Sequence, residues 1–153
     1  MMKELDQIDR RLLNALQEDS RLSQRDLADK IGLSQNACWR RLKALDERRL
    51  IKNHTVRLDS AEVGLPLTVF MMVRTRHHSK EWLEQFRKEI LAIANIIDFY
   101  RIAGDYDYML KVAVKDMNAF DRVYQRIIEK VDLDTVTSYM TMEAIADARP
   151  LPV

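Results

Sequence analysis

Cysteine is nearly missing from this chain: Cys38 is the single one in 153 residues. An internal disulfide is therefore excluded, as is a thiolate zinc site built from one chain, and the usage fits a reducing compartment. Proline and glycine are scarce as well, three of each, and no low-complexity or charged-block segment occurs. With 47% hydrophobic and 32% charged residues, the composition is that of a folded globular protein. Long hydrophobic runs are also lacking. The stretch Leu67 to Val73, interrupted by Thr68, is far too short to span a bilayer, and the first residues have no apolar signal-peptide core. The expectation is a cytoplasmic protein without membrane partners.

The net charge of +1 hides an asymmetry. Residues 1–58 hold 13 Lys and Arg against 9 Asp and Glu, whereas residues 59–153 hold 12 against 15. A basic head on an acidic body is the distribution of a modest nucleic-acid-binding domain joined to something else.

In the head, Leu5, Ile8, Leu12, Leu13 and Leu16 recur at helical spacing, predicting an amphipathic helix over 6–18 with Asp6 or Asp9 in its first turn. Ser23 followed by Asp26 opens a second, short helix through Leu27, Ala28 and Ile31 that Gly32 terminates. Ser34 caps a third, in which Cys38, Leu42 and Leu45 form a buried seam. Two short helices joined by a glycine turn are a helix-turn-helix, here about 24–43. Opposite the seam lie Asn36, Arg40, Lys43 and Glu47, flanked by Gln35 and Trp39. Such a helix lays its first turns against base edges in the major groove. Ser34, Gln35, Asn36, Trp39, Arg40 and Lys43 are the DNA-binding candidates, with Lys43, Arg48 and Arg49 on phosphates; Trp39 has packing at the domain edge as its alternative. A bare solvated face is the competing reading of the whole set, and the agreement of caps, turn and polar edge weighs against it. Cys38, on the seam, reads as a packed small hydrophobe rather than a redox sensor.

Beyond the third helix, residues 50–58 alternate as a strand and 59–65 read as a linker, so the domains are 1–58 and 66–153. The second contains a strand over 67–76, a helix capped by Ser79, a strand over 96–103, a strand over 106–114, a helix capped by Asp116, and a last strand within 136–145. The order βαββαβ is a ferredoxin-like α+β pattern. With both helices on one face, the other face stays apolar and open, and dimerisation through the sheets would cover it. Gly32, Gly64 and Gly104 each mark a joint. At the last, Ala103-Gly-Asp-Tyr-Asp-Tyr108 reads either as an ordinary Gly-Asp turn with solvated acids or as a site where carboxylates and backbone amides hold an amino acid.

The segments Leu5-Asp-x-x-Asp9-Arg10, Leu16-Gln17-x-Asp19, Leu27-Ala28-x-x-Ile31-Gly32-Leu33-Ser34 and Arg41-Leu42-x-x-Leu45, with Gly104-Asp-Tyr-Asp-Tyr108-x-Leu110, resemble the Lrp/AsnC family, the feast/famine regulators, over nearly the whole chain. The resemblance implies a winged helix-turn-helix head binding double-stranded DNA and dimers paired through their sheets, often four to an octamer. It also implies an amino-acid effector between dimers, with no cofactor, no metal and no enzyme activity. The implied effector residues are Gly104, Asp105, Tyr106 and Asp107, with Thr137, Ser138 and Tyr139 on the last strand. Cys38-Trp39-x-Arg41-Leu42-Lys43, His77-His78-Ser-x-Glu81-Trp82, Met142-Glu-x-Ile145 and Leu151-Pro152 are similar to the branch that regulates cysteine desulfidation, implying cysteine or a related effector. Two departures stand out: Arg48-Arg49 where the family has a glycine before the wing, and Ala146-Asp-Ala-Arg149 in place of a basic, threonine-rich tail.

Two other functions fit the same architecture. One is a haem-precursor decarboxylase using His54, His77 or His78, against which adjacent strand-end histidines point to opposite faces without metal-site spacing. The other is an interaction module that no longer binds DNA, against which Asn36, Arg40 and Lys43 speak.

Overall fold

The computed structural model describes residues 4–153. They form two compact units, one of the residues up to Val56 together with Ile145–Val153, the other of Arg57–Ala144.

The first unit contains α1 (Gln7–Glu18), α2 (Gln24–Ile31) and α3 (Gln35–Glu47). Each begins at an acceptor side chain that takes one of the unpaired first-turn amides: Asp6 accepts from the Asp9 N–H at 2.8 Å, Ser23 from Asp26 at 3.1 Å, and Ser34 from Ala37 at 3.3 Å. The α2 helix stops at Gly32, whose φ of +79° lets the Leu33 N–H turn back to the Ala28 carbonyl at 2.9 Å. The same closure ends α3, where the Leu50 N–H reaches the Leu45 carbonyl at 3.2 Å, but the left-handed residue is Arg49 at φ +56°. The glycine expected at this turn is absent while its backbone conformation is kept, at a cost of about 1 kcal/mol for a side-chain-bearing residue. Leu12, Ala15, Leu27, Ala28, Ile31, Cys38 and Leu45 form the core. Cys38 is fully buried, and burial pushes its thiol pKa up, consistent with packing.

One expectation fails here. Residues 50–58 form no strand. The alternation is present, yet a strand needs a ladder partner, and the chain supplies none to this segment; Val56 and Leu58 are 78% and 70% exposed. The last residues also depart from the division at 66, since Ile145–Val153 packs with the head.

The second unit has β1 (Leu67–Arg74), α4 (Lys80–Leu91), β2 (Ile96–Arg101), β3 (Tyr108–Val114), α5 (Met117–Ile128) and β4 (Thr135–Met140), the predicted βαββαβ order. The antiparallel sheet runs β2-β3-β1-β4. Register places Val69 opposite Val112, Met71 opposite Leu110 and Val73 opposite Tyr108. All six are buried and share one cluster with Phe86 and Ile90 of α4 and Phe120, Val123 and Ile127 of α5, so both helices cover the same face. Alternate residues point away from them, and Phe70, Met72 and Met109 are only half-buried there while Tyr100 and Tyr139 are exposed. The open apolar face predicted from the pattern is therefore present.

Candidate nucleic-acid interface and effector hairpin

Gln35, Asn36 and Arg40 are exposed on the first turns of α3, the edge that a recognition helix presents to bases. Ser34 is exposed too, although its oxygen is engaged as the cap. Trp39 and Lys43 lie together: the Lys43 ammonium sits 5.3 Å above the Trp39 ring and 3.8 Å from Glu47. That pair borders a cavity of about 390 Å³ lined by Leu16, Leu22, Leu27 and His54. The structure thus gives Trp39 its edge-packing position while leaving 47% of it accessible.

What holds α3 in place was not among the candidates. One nitrogen of Arg41 bridges Asp6 at 2.6 Å and Asp9 at 2.7 Å, and Arg48 approaches Asp9 at 3.9 Å. Asp9 is 9% exposed, so the contact ties α1 to α3 in a partly dry setting. Capping of the Asp9 amide and the Arg41 guanidinium hold the Asp6 carboxyl below its ordinary value. Arg48, expected at a phosphate from sequence, lies 3.9 Å from the nearly buried Asp9 carboxylate in this structure. Both aspartates belong to the Leu5-Asp-x-x-Asp9-Arg10 motif, so the signal was present, but its partner lies 32 residues away.

In the sheet unit the hairpin residues separate into two groups. Tyr106 and Thr137 meet through their hydroxyls at 2.9 Å. Tyr139, on the same open face, has its pKa raised, first by the charge of Tyr106 and then by their shared hydrogen bond. Ser138 pairs with buried Met71 and so faces the helices, away from that group. Asp107 is committed to the backbone: its carboxylate accepts from the Thr75 N–H at 2.8 Å and its own N–H donates to the Val73 carbonyl at 2.9 Å. Gly104, at φ +141°, and Asp105 are exposed at the turn. The Ile102 N–H closes that turn on the Asp107 carbonyl at 2.8 Å, and β2 and β3 end on either side of it, short of the sequence pattern.

Beside this hairpin stands a cluster of which the sequence singled out His77 alone. Arg74 and Arg76 reach Asp134 at 3.1 and 2.5 Å, and His77 meets Asp132 at 2.9 Å. Partial burial works to raise the Asp134 pKa, but Arg76, the Thr135 hydroxyl and Arg74 outweigh it and hold the carboxyl below the usual range. His54 belongs to the other unit. Among the described residues no group of three or more His, Cys, Asp or Glu is placed to hold a metal ion.

A capped helix-turn-helix with an exposed polar leading edge, followed by a split βαβ sheet with a polar hairpin, defines a DNA-binding regulator with a separate sensing domain. Comparison with known proteins agrees. A family model for winged helix-turn-helix DNA-binding matches residues 5–52, and one for the Lrp/AsnC ligand binding domain matches residues 68–151. The chain belongs to the Lrp/AsnC family and is a DNA-binding transcriptional regulator of that type. It is 38% identical over 153 residues to the glutamate uptake regulatory protein of Zymomonas mobilis, covering 100% of this chain and 93% of that protein. It is 39% identical over 150 residues to the DNA-binding transcriptional activator DecR of Escherichia coli, covering 97% and 99%. Among solved structures, an AsnC family transcriptional regulator from Agrobacterium tumefaciens superposes with a TM-score of 0.92 at 41% identity, covering 96% of both chains. A regulator from Neisseria meningitidis, solved as a complex with L-Met, gives 0.91 at 28% identity, covering 97% of both. The near-equal identities to differently named regulators do not single out the cysteine-desulfidation branch.

Proposed function

We propose that this chain acts in the cytoplasm as an amino-acid-responsive regulator, not an enzyme, whose protomers pair through their open sheet faces. The observation that carries this reading is the exposed edge of Gln35, Asn36 and Arg40 on a helix held by caps and by the Arg41 bridge. Arg40 and Asn36 read bases, Lys43 and Arg49 hold phosphates, and Trp39 supports Lys43 from the cavity rim. Pairing covers Phe70, Met72, Met109 and Tyr139, an apolar set that a monomer would leave wet, and gathers dimers toward the octamer that the family resemblance implies.

For the effector, Tyr106, Thr137 and Tyr139 supply hydroxyls on one face, Gly104 and Asp105 supply turn backbone and a carboxylate, and Asp107 sets the hairpin on which they sit. The complex of the Neisseria relative with L-Met supports an amino acid as the ligand class; cysteine is the arm favoured by the branch resemblance. Ser138 contributes from behind the sheet, by packing.

A gel-shift titration tests the DNA reading. Arg40→Ala is expected to weaken the cognate operator by about 1–3 kcal/mol per half-site while sparing bulk duplex, and Lys43→Ala to weaken all sequences alike. Unchanged operator affinity in Arg40→Ala removes Arg40 from the readout set. Calorimetry with each of the twenty amino acids tests the sensing arm, and binding by none rejects it.

A further inference from the structure

We propose that the outer face of α1 is a docking surface for the chain's own segment Ile145–Val153, and that this strap carries the state of β4 to the DNA-binding head. The proposal deepens the sensing reading above and rests on it for its biological use.

Docking is through main chain. The Gln17 carboxamide makes both hydrogen bonds that a neighbouring strand would make to Leu151, its Nε2 donating to the Leu151 carbonyl at 3.1 Å and its Oε1 accepting from the Leu151 N–H at 2.8 Å. Three residues earlier on α1, Asn14 donates from Nδ2 to the Val153 carbonyl at 3.2 Å. Residues three apart on a helix lie on one face, so the two carboxamides form a short polar rail. The strap is built for it. Leu151 stands between Pro150 and Pro152. Prolines have no N–H, and each disfavours helix in the residue before it. The Leu151 amide is therefore the single donor of this tripeptide, displayed from an already extended backbone that loses little entropy on docking. Its side chain stays 70% exposed, so Gln17 reads the backbone and not the leucine.

The strap's other end is β4. Thr137 and Tyr139 sit on that strand, the Thr141 N–H closes it on Thr68 at 2.9 Å, and Met142 and Ile145 then run exposed toward the docked segment. A change at the Tyr106–Thr137–Tyr139 group thus has a covalent route to α1, and the Asp6/Asp9–Arg41 bridge continues it to α3. The Gln17 and Asn14 bonds are solvent-accessible or only part-buried and the connector residues Met142 and Ile145 are exposed, features of a segment that opens locally at low free energy.

Amide hydrogen exchange on the full chain tests this without an effector. The Leu151 amide is expected to exchange about tenfold more slowly than in a free peptide, and Gln17→Leu, which keeps bulk but removes both bonds, to abolish that protection. Thr137→Val removes the hydroxyl contact on β4 while preserving strand shape, and it is expected to change Leu151 protection several-fold, with β1 amides and the sedimentation coefficient unchanged. A Leu151 amide unprotected in the wild type, or one indifferent to Thr137→Val, overturns the strap. The two readings fail separately. If no amino acid binds but Thr137→Val still moves Leu151, sensing is wrong and the strap stands. If an amino acid shifts operator affinity equally in wild type and Gln17→Leu, the strap is wrong and sensing stands.

Discussion

Replacing Arg41 with methionine should loosen the recognition helix more than any change at the exposed DNA edge. In the folded chain its guanidinium joins Asp6 and Asp9 at 2.6 and 2.7 Å, with only 12% of the Asp9 side chain accessible. Removing one partner of a fully buried pair costs about 3–5 kcal/mol, because the remaining charge is left dry and unpaired. Two facts lower that figure here: Arg41 is itself 33% accessible, and Arg48 remains 3.9 Å from Asp9. About 2 kcal/mol is the expected loss, and Arg41→Lys, which keeps the charge but loses the planar, pre-organised guanidinium whose one nitrogen meets both carboxylates, should lose about half as much. The chain has two tryptophans, Trp39 in the head and Trp82 in the sheet unit, so a Trp82→Phe background makes urea unfolding monitored by fluorescence specific to the head. The pH dependence provides a second check. The Asp6 carboxyl is lowered in the folded state, so its contribution is fully present above the ordinary value of about 3.9 and is lost as pH falls through the lower folded value. Arg41→Met should flatten that acid limb. A stability change below about 0.5 kcal/mol, the level typical of ordinary surface substitutions, or an unaltered acid limb, would refute the bridge as the tie between α1 and α3.

Two further outcomes follow from backbone and ring geometry. Arg49→Gly relieves a left-handed residue and should stabilise the head by about 0.5–1 kcal/mol after the entropy cost of glycine, whereas Arg49→Ala should be neutral; equal effects of the two in thermal unfolding would contradict the strain. In a spectrophotometric titration Tyr139 should ionise later than an ordinary tyrosine, and Tyr106→Phe should restore it. Because its folded pKa is raised, the stability it contributes is complete below about 10 and disappears as pH rises through the folded value.

The parts legible in the sequence are those with local causes. The side chains of Asp6, Ser23, Ser34, Ser79 and Asp116 each accept from an amide three residues on, and period-two burial in β1 follows from alternation along one strand. What was not legible has non-local causes. Residues 50–58 carry a strand's pattern without a partner to pair with. Arg48 looks like a phosphate ligand until Asp9, 39 positions earlier in the chain, is placed beside it. The engagement of Asp107 with the Thr75 amide could not be read from the sequence because it depends on β1 and β3 being neighbours. Gln17 stands in the Leu16-Gln17-x-Asp19 segment that resembles the family head, but nothing in that pattern pairs it with residue 151, 134 positions away.

The exposed apolar surface raises the question of how many copies act. Val56 and Leu58 in the extended segment, and Tyr100 and Tyr139 on the open sheet face, are each more than half exposed. The first pair lies on backbone that alternates like a strand but has no ladder, the second on a sheet whose reverse side is fully packed. The second pair is not covered from within the sheet unit, since β1 and β3 are already paired on both edges and α4 and α5 cover the other face. On the proposed reading a second copy covers the open face by symmetry and places two α3 helices on one operator. The energetic consequence is specific. An interaction removed from both half-sites weakens binding twice over, so Arg40→Ala should square its fold-loss on a two-fold site relative to a single half-site of the same sequence. Equal losses on the two fragments would mean that one copy binds alone, and the open face would then need another occupant.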